Sequence, residues 1–138
     1  MKKLVWKLVL PLTVLSFMLF TQSWHVFVAD GPDVYMRGFP LICESPGFHT
    51  SMSKQLFVAE FLGNLSVYFL FWFLVVFLFN RFVLKIKVRK FVYRFLIFLS
   101  ILILALYASM LTLGDVEFKF TRDFDIEVKS TSITFLGL

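Results

Sequence analysis

Charge is scarce in this chain: only 17% of its 138 residues are Asp, Glu, Lys or Arg. Cysteine occurs once, at Cys43, which excludes an internal disulfide in any compartment. Catalytic signatures are missing as well. There is no Ser-His-Asp order, no glycine-rich phosphate loop and no spaced carboxylate pair. Cys43 and His49, with His25, Asp30, Asp33 and Glu44 nearby, are of ligand type, but they match neither a paired Cys-x-x-Cys site nor a His-Glu-x-x-His helix. No metal, cofactor or catalytic residue is therefore expected.

What the chain has in excess is apolar surface. Hydrophobic residues make up 59%, aromatics 20%, with 20 Phe and a mean hydropathy of +0.86. A soluble fold of this size has too little interior to hide that much. A single membrane domain over 1–138 follows, mainly α. Leu56 to Phe79 is interrupted only by Glu60, Gly63, Asn64 and Ser66, and its length of about 36 Å exceeds a hydrocarbon layer of about 30 Å. Phe91 to Leu113 is a second run, with Arg94 as its only charge. A third run, Leu8 to Phe20, is shorter, but Trp6 and Trp24 lie about 27 Å apart along a helix and suit its two interfaces. The expected layout is transmembrane helices over 4–23, 55–79 and 91–113. The first segment also fits a cleaved signal, with MKKLVWK as the basic region and Thr21-Gln22-Ser23 near a cleavage point.

Orientation follows from the basic residues. NRFVLKIKVRKFVYR, residues 80 to 94, holds Arg81, Lys85, Lys87, Arg89, Lys90 and Arg94 and no acid. With Lys2, Lys3 and Lys7 these make nine basic residues on one side, against Arg37, Lys54, Lys119, Arg122 and Lys129 on the other. The positive-inside pattern places the N-terminus in the cytoplasm, the link 80–90 inside, and the segments 24–54 and 114–138 outside the inner membrane. Lipid head groups are the expected partner of the basic link. A nucleic-acid site needs a groove or stacking surface as well, and none is indicated.

Inside the second span, Glu60, Asn64 and Tyr68 recur at one-turn spacing, and Ala59, Gly63 and Ser66 form a small-residue stripe. In the third span Ala105, Ala108, Ser109 and Thr112 lie at the same depth. These two faces are expected to pack as an antiparallel pair, with Gly63 at the nearest approach. Glu60 is expected to bond Asn64 or Tyr107, or to reach Lys54 or Arg37; proton transport is the alternative.

The outer loop is broken by Gly31-Pro32, Gly38-Phe39-Pro40 and Ser45-Pro46-Gly47. In its Gly-Phe-Pro-Leu stretch and the Phe- and Trp-rich helix that follows, over residues 37 to 79, the chain resembles small uncharacterised bacterial inner-membrane proteins. The resemblance implies location only. In the tail, Val116, Phe118 and Phe120 alternate with Glu117, Lys119 and Thr121, and Phe124, Ile126 and Val128 with Asp125, Glu127 and Lys129. A hairpin across 122–124 would set Lys119 opposite Glu127 and Glu117 opposite Lys129. The bare hairpin needs cover on its apolar face, from Val34, Tyr35, Phe39 or Phe48, or from a partner protein against Phe118, Phe120, Ile126 and Val128. The functional expectation is a non-enzymatic accessory, assembly or immunity-type protein binding a larger membrane or extracytoplasmic protein at the outer face.

Overall fold

The structure is a computed structural model that describes residues 2–28, 33–47, 53–121 and 126–135. It has three helices and a six-stranded sheet. Helix α1 is continuous over residues 2–19, although its turns change type: α over Lys2–Leu4, π over Val5–Val9, then α over Leu10–Leu19. Pro11 accounts for the change. Its ring has no N–H to donate to Lys7, and a widened turn just upstream relieves the clash that the ring would cause. Helix α2 runs Val58–Leu78 and closes in a π turn, Phe79–Val83; helix α3 is Lys90–Leu113.

Helices α2 and α3 are long and apolar enough to cross a membrane. Only 11% and 6% of their most apolar windows are buried inside the protein. That sets them apart from the core helices of a soluble fold, which hide such windows. Helix α1 is shorter, and the expected helix over 4–23 stops at Leu19. Phe20–Val28 is strand β1, so Trp24 is not an interfacial residue at a helix end. Its indole N–H instead donates to the Gly38 carbonyl at 2.7 Å.

The helix packing differs from the expected antiparallel pair. Helix α1 approaches both α2 and α3 closely, while α2 and α3 share no comparable seam. Val9, Thr13 and Leu15 of α1 are buried, Phe17 meets Phe61 edge-on at 4.9 Å, and Trp72 donates to Ser16 Oγ at 2.7 Å. Ser100 of α3 is buried beside the Pro11 carbonyl, 3.4 Å away. Ala105, Ala108, Ser109, Thr112 and Ser66 all face outward. Small residues allow a close approach without requiring one, and here the hydroxyls turn back on their own helices: Ser66 to Leu62 O, Ser109 to Leu106 O and Thr112 to Ser109 O. A Cβ on Gly63 would meet Leu41 of the loop 38–43 at 3.5 Å; among the described residues no other helix lies within that reach.

Strands β2 (Val34–Arg37), β3 (Glu44–Pro46) and β4 (Lys54–Phe57) continue from β1 as an antiparallel meander. Strands β5 (Val116–Lys119) and β6 (Ile126–Phe135) then add to opposite edges, giving the order β5-β4-β3-β2-β1-β6. The expected hairpin is therefore not formed, although its turn, 122–124, lies outside the described residues. Strand β5 runs parallel to β4 and sets Glu117 beside Gln55. Strand β6 pairs antiparallel with β1 over its whole length, from Phe20↔Phe135 to Val28↔Ile126, and continues through Ser130-Thr131-Ser132 without turning. An isolated hairpin is marginal, whereas the meander offers each strand a preformed ladder. The one irregularity is a bulge at Lys129, between the pairs Val26↔Val128 and His25↔Ser130. Its ammonium reaches Asp33 at 2.7 Å and sits 5.2 Å over the Phe27 ring.

Period-two alternation builds the small core of the sheet. Val26 and Val28 of β1, Met36 of β2 and Ile42 are buried, and Trp24, Val34 and Ile126 pack on them. All three helices meet this sheet at one end, because β1 leaves the end of α1, β4 enters the start of α2, and β5 follows α3. The basic residues Arg81, Lys85, Lys87, Arg89, Lys90 and Arg94 lie at the other end, all exposed.

Candidate functional site at the junction of sheet and helices

Where the sheet rests on the helices, two features stand together: a polar clamp on the loop 38–43 and a small cavity beside it. The clamp begins with Asn64. It is fully buried, and its side chain donates to the Leu41 carbonyl at 2.7 Å and accepts from the Leu41 N–H at 2.9 Å. One amide thus pairs with a backbone as a neighbouring strand would. The loop is held at its other points too. Gly38 N–H donates to Gln22 O at 3.0 Å, Cys43 N–H to Arg37 O at 2.9 Å, and Phe57 N–H to Cys43 O at 2.8 Å. Gly38 has φ of +139°, a conformation open to glycine. Tyr68, one turn further along the stripe, donates to Phe20 O of β1 at 3.1 Å, and its ring meets Phe39 of the loop edge-on.

Glu60 does not bond Asn64, whose amide serves Leu41 and Cys43. Its Oε2 is buried with no hydrogen-bond partner among the described residues. What favours a carboxylate there is its place in the first turn of α2, where free N–H groups carry partial positive charge. Ala59, one residue earlier, donates its N–H to Phe120 O at 2.9 Å, so the end of β5 also caps this helix start.

The cavity, of about 150 Å3, is lined from below by Phe17, Met18, Phe61, Tyr68, Tyr107, Met110 and Leu111. From the sheet side it is lined by Thr21, Arg37, Phe39, Cys43, Glu44 and Lys54. Glu44 is half-buried, 3.2 Å from the Lys54 ammonium, and stands opposite Arg37 in the register of β2 and β3. This cluster escaped the sequence reading. Arg37, Glu44 and Lys54 are far apart in sequence and come together only because the meander folds as it does. Burial pushes the Cys43 thiol up to about 11, and the nearby Glu44 carboxylate and the more distant Glu60 add to the rise against a hydrogen bond from Asn64. Such a thiol is protonated at neutral pH and a poor nucleophile or ligand. Among the described residues no group of His, Cys, Asp and Glu is placed to hold a metal ion; His49 and Asp30 lie outside them.

Of the residues expected at a partner surface, Phe118 is 62% exposed, Phe120 74% and Val128 48%, while Ile126 is partly buried in the sheet core. Phe118 and Phe120 lie at one edge of the sheet and Val128 at the other, so they do not form one patch. Comparison with family models, with curated proteins and with solved structures gives no match.

Proposed function

We propose that this is a three-span integral protein of an inner membrane, with its N-terminus cytoplasmic and its sheet outside, acting without catalysis as an accessory, assembly or immunity-type protein that binds a larger protein at the outer face. Support for the membrane comes from two long apolar helices whose apolar side chains point outward, and from basic residues gathered at the end remote from the sheet. Helix α1 belongs to the same layer in this reading because its buried residues fill the seam between the other two. Retention of residues 2–19 is part of the proposal. The basic link lies on anionic head groups, each Lys or Arg contributing about 1 kcal/mol.

The observation that carries partner binding is the state of one sheet edge. Among the described residues strand β5 ends the sheet on one side, and Phe118 and Phe120 stand largely exposed on or beside it. Open edges with apolar side chains accept an added strand or a covering surface. The test is copurification in mild detergent from cells with Phe118→Ser and Phe120→Ser, compared with the unaltered chain. Unchanged recovery of the same companions counts against this edge. A second reading, a transporter or channel component, is favoured by the unpartnered buried oxygen of Glu60. Glu60→Gln separates the two: loss of ion flux with companions retained selects transport.

A further inference from the structure

We propose that the tip of the loop 38–43, Phe39-Pro40-Leu41, is a wedge seated among the acyl chains of the outer leaflet, and that the buried Asn64 of α2 exists to make this possible. The inference rests on the membrane reading above and adds to it a second, non-helical lipid contact.

Depth is the first argument. Leu41 is bonded at both backbone groups to Asn64, which lies about 9 Å along the axis from the first residue of α2. Counting back about 30 Å of hydrocarbon from Arg81 at the inner end reaches Glu60 or Phe61. Asn64, and the loop tip with it, falls below that boundary.

Chemistry is the second. Irregular backbone survives in hydrocarbon only where its polar groups find partners within the protein. Pro40 has no N–H to satisfy. Leu41 has both of its groups bound by Asn64. Gly38 and Cys43 donate back into the protein, and Gly38 O accepts from the Trp24 indole.

The side chains give the third argument. No residue from Gly38 to Cys43 is charged, and Phe39 and Leu41 remain 46% and 49% exposed although their backbone is fixed. Leu41 lies against α2 at Gly63, beside the outward-facing Leu62 and Val67. The tip thus continues the apolar surface that α2 presents outward, and the same lipid covers both.

The test uses the full chain in vesicles of phosphatidylcholine and phosphatidylglycerol, with a fluorophore on Leu41→Cys in a Cys43→Ala background. Phe39→Cys serves as a second position if that variant fails to fold. Reference labels sit on Leu102→Cys, midway along α3 and read with lipids spin-labelled near the methyl end of the acyl chain, and on Lys129→Cys in the sheet. Lipids spin-labelled near the carbonyl end of the acyl chain should quench the loop label several-fold more than aqueous iodide does, and its emission should shift to the blue. Iodide quenching equal to that at position 129, with lipid quenching kept at position 102, overturns the wedge and leaves the membrane reading standing. Protection from both quenchers means that protein covers the tip, which also overturns it. Failure of lipid quenching at position 102 refutes the membrane reading and the wedge with it.

Discussion

Replacing Asn64 by Leu removes one side chain and strands two backbone groups. The residue is fully buried, and its amide makes bonds of 2.7 and 2.9 Å to the two polar groups of Leu41. Leu keeps the branched shape of Asn and is larger, so none of the effect comes from a cavity. A buried group left without its partner costs about 1–3 kcal/mol in a water-soluble protein, and side-chain bonds between helices in membranes average about 0.6 kcal/mol with a maximum near 1.7. Two bonds then give about 1–3 kcal/mol for Asn64→Leu. Asn64→Asp keeps an acceptor for the Leu41 N–H and loses the donor to its carbonyl, while adding a carboxylate one turn from Glu60; it should cost at least as much. The assay is equilibrium unfolding in mixed micelles followed by helical circular dichroism, where about 1.4 kcal/mol is tenfold in the unfolding constant. Because the clamp holds the loop that covers Cys43, alkylation of that thiol should accelerate under conditions where the helices stay folded. An Asn64→Leu protein within about 0.5 kcal/mol of the original, with Cys43 still protected, would refute the account of the clamp.

Gly38→Ala should be equally damaging, by about 1–3 kcal/mol, because φ of +139° suits glycine and a Cβ there would run into Leu41 O and lie 2.7 Å from Cys43 N; wild-type unfolding would contradict this. Trp72→Phe removes the bond to Ser16 that ties α2 to α1 and should cost about 0.5–1.7 kcal/mol in the same assay. The Cys43 thiol, raised to about 11 from 9.0, favours the protonated form in the fold. Its contribution to stability is therefore complete below pH 9 and disappears as pH rises through 11. Alkylation of the folded protein should keep climbing with pH towards 11, and a plateau below pH 10 would show that burial does not have this effect.

Hydropathy made the two long helices legible, because a run such as Leu56 to Phe79 has few foldings that hide it. The alternation in 116–121 and 124–129 was equally legible as strand, but period two fixes which side chains share a face and leaves the partner open. Either arrangement satisfies the charges. Glu117 finds Gln55 at 3.3 Å in place of Lys129, and Lys129 finds Asp33 in place of Glu117. Strand β1 carries the same signal in Trp24, Val26 and Val28, yet the spacing of Trp6 and Trp24 matched a bilayer and drew the reading toward a longer helix. The helix seam was hidden for a different reason. Small residues mark where contact is possible, whereas the contacts made use Ser16 and Phe17 of the shortest helix, which have no distinctive spacing.

Two polar residues near the sheet end of α2 hold backbone of the sheet and its loop. Asn64 binds Leu41, Tyr68 binds Phe20, and Glu60 occupies the helix start that Phe120 caps through its neighbour Ala59. Each lies near the sheet end of α2, and Asn64 and Tyr68 address strand or loop backbone. A sheet over a core of a few residues has little of its own to hold it, and backbone groups buried without partners are costly. Helix α2 supplies hydrogen-bond partners where the sheet rests on it. On this logic the sheet is not an independent domain attached to anchors. A cut after Phe57 leaves α1 with β1–β4 in one piece and α2 and α3 with β5 and β6 in the other; neither piece should fold when expressed alone, since one exposes Asn64 and the other loses the clamp on its central loop, and circular dichroism of each piece checks this.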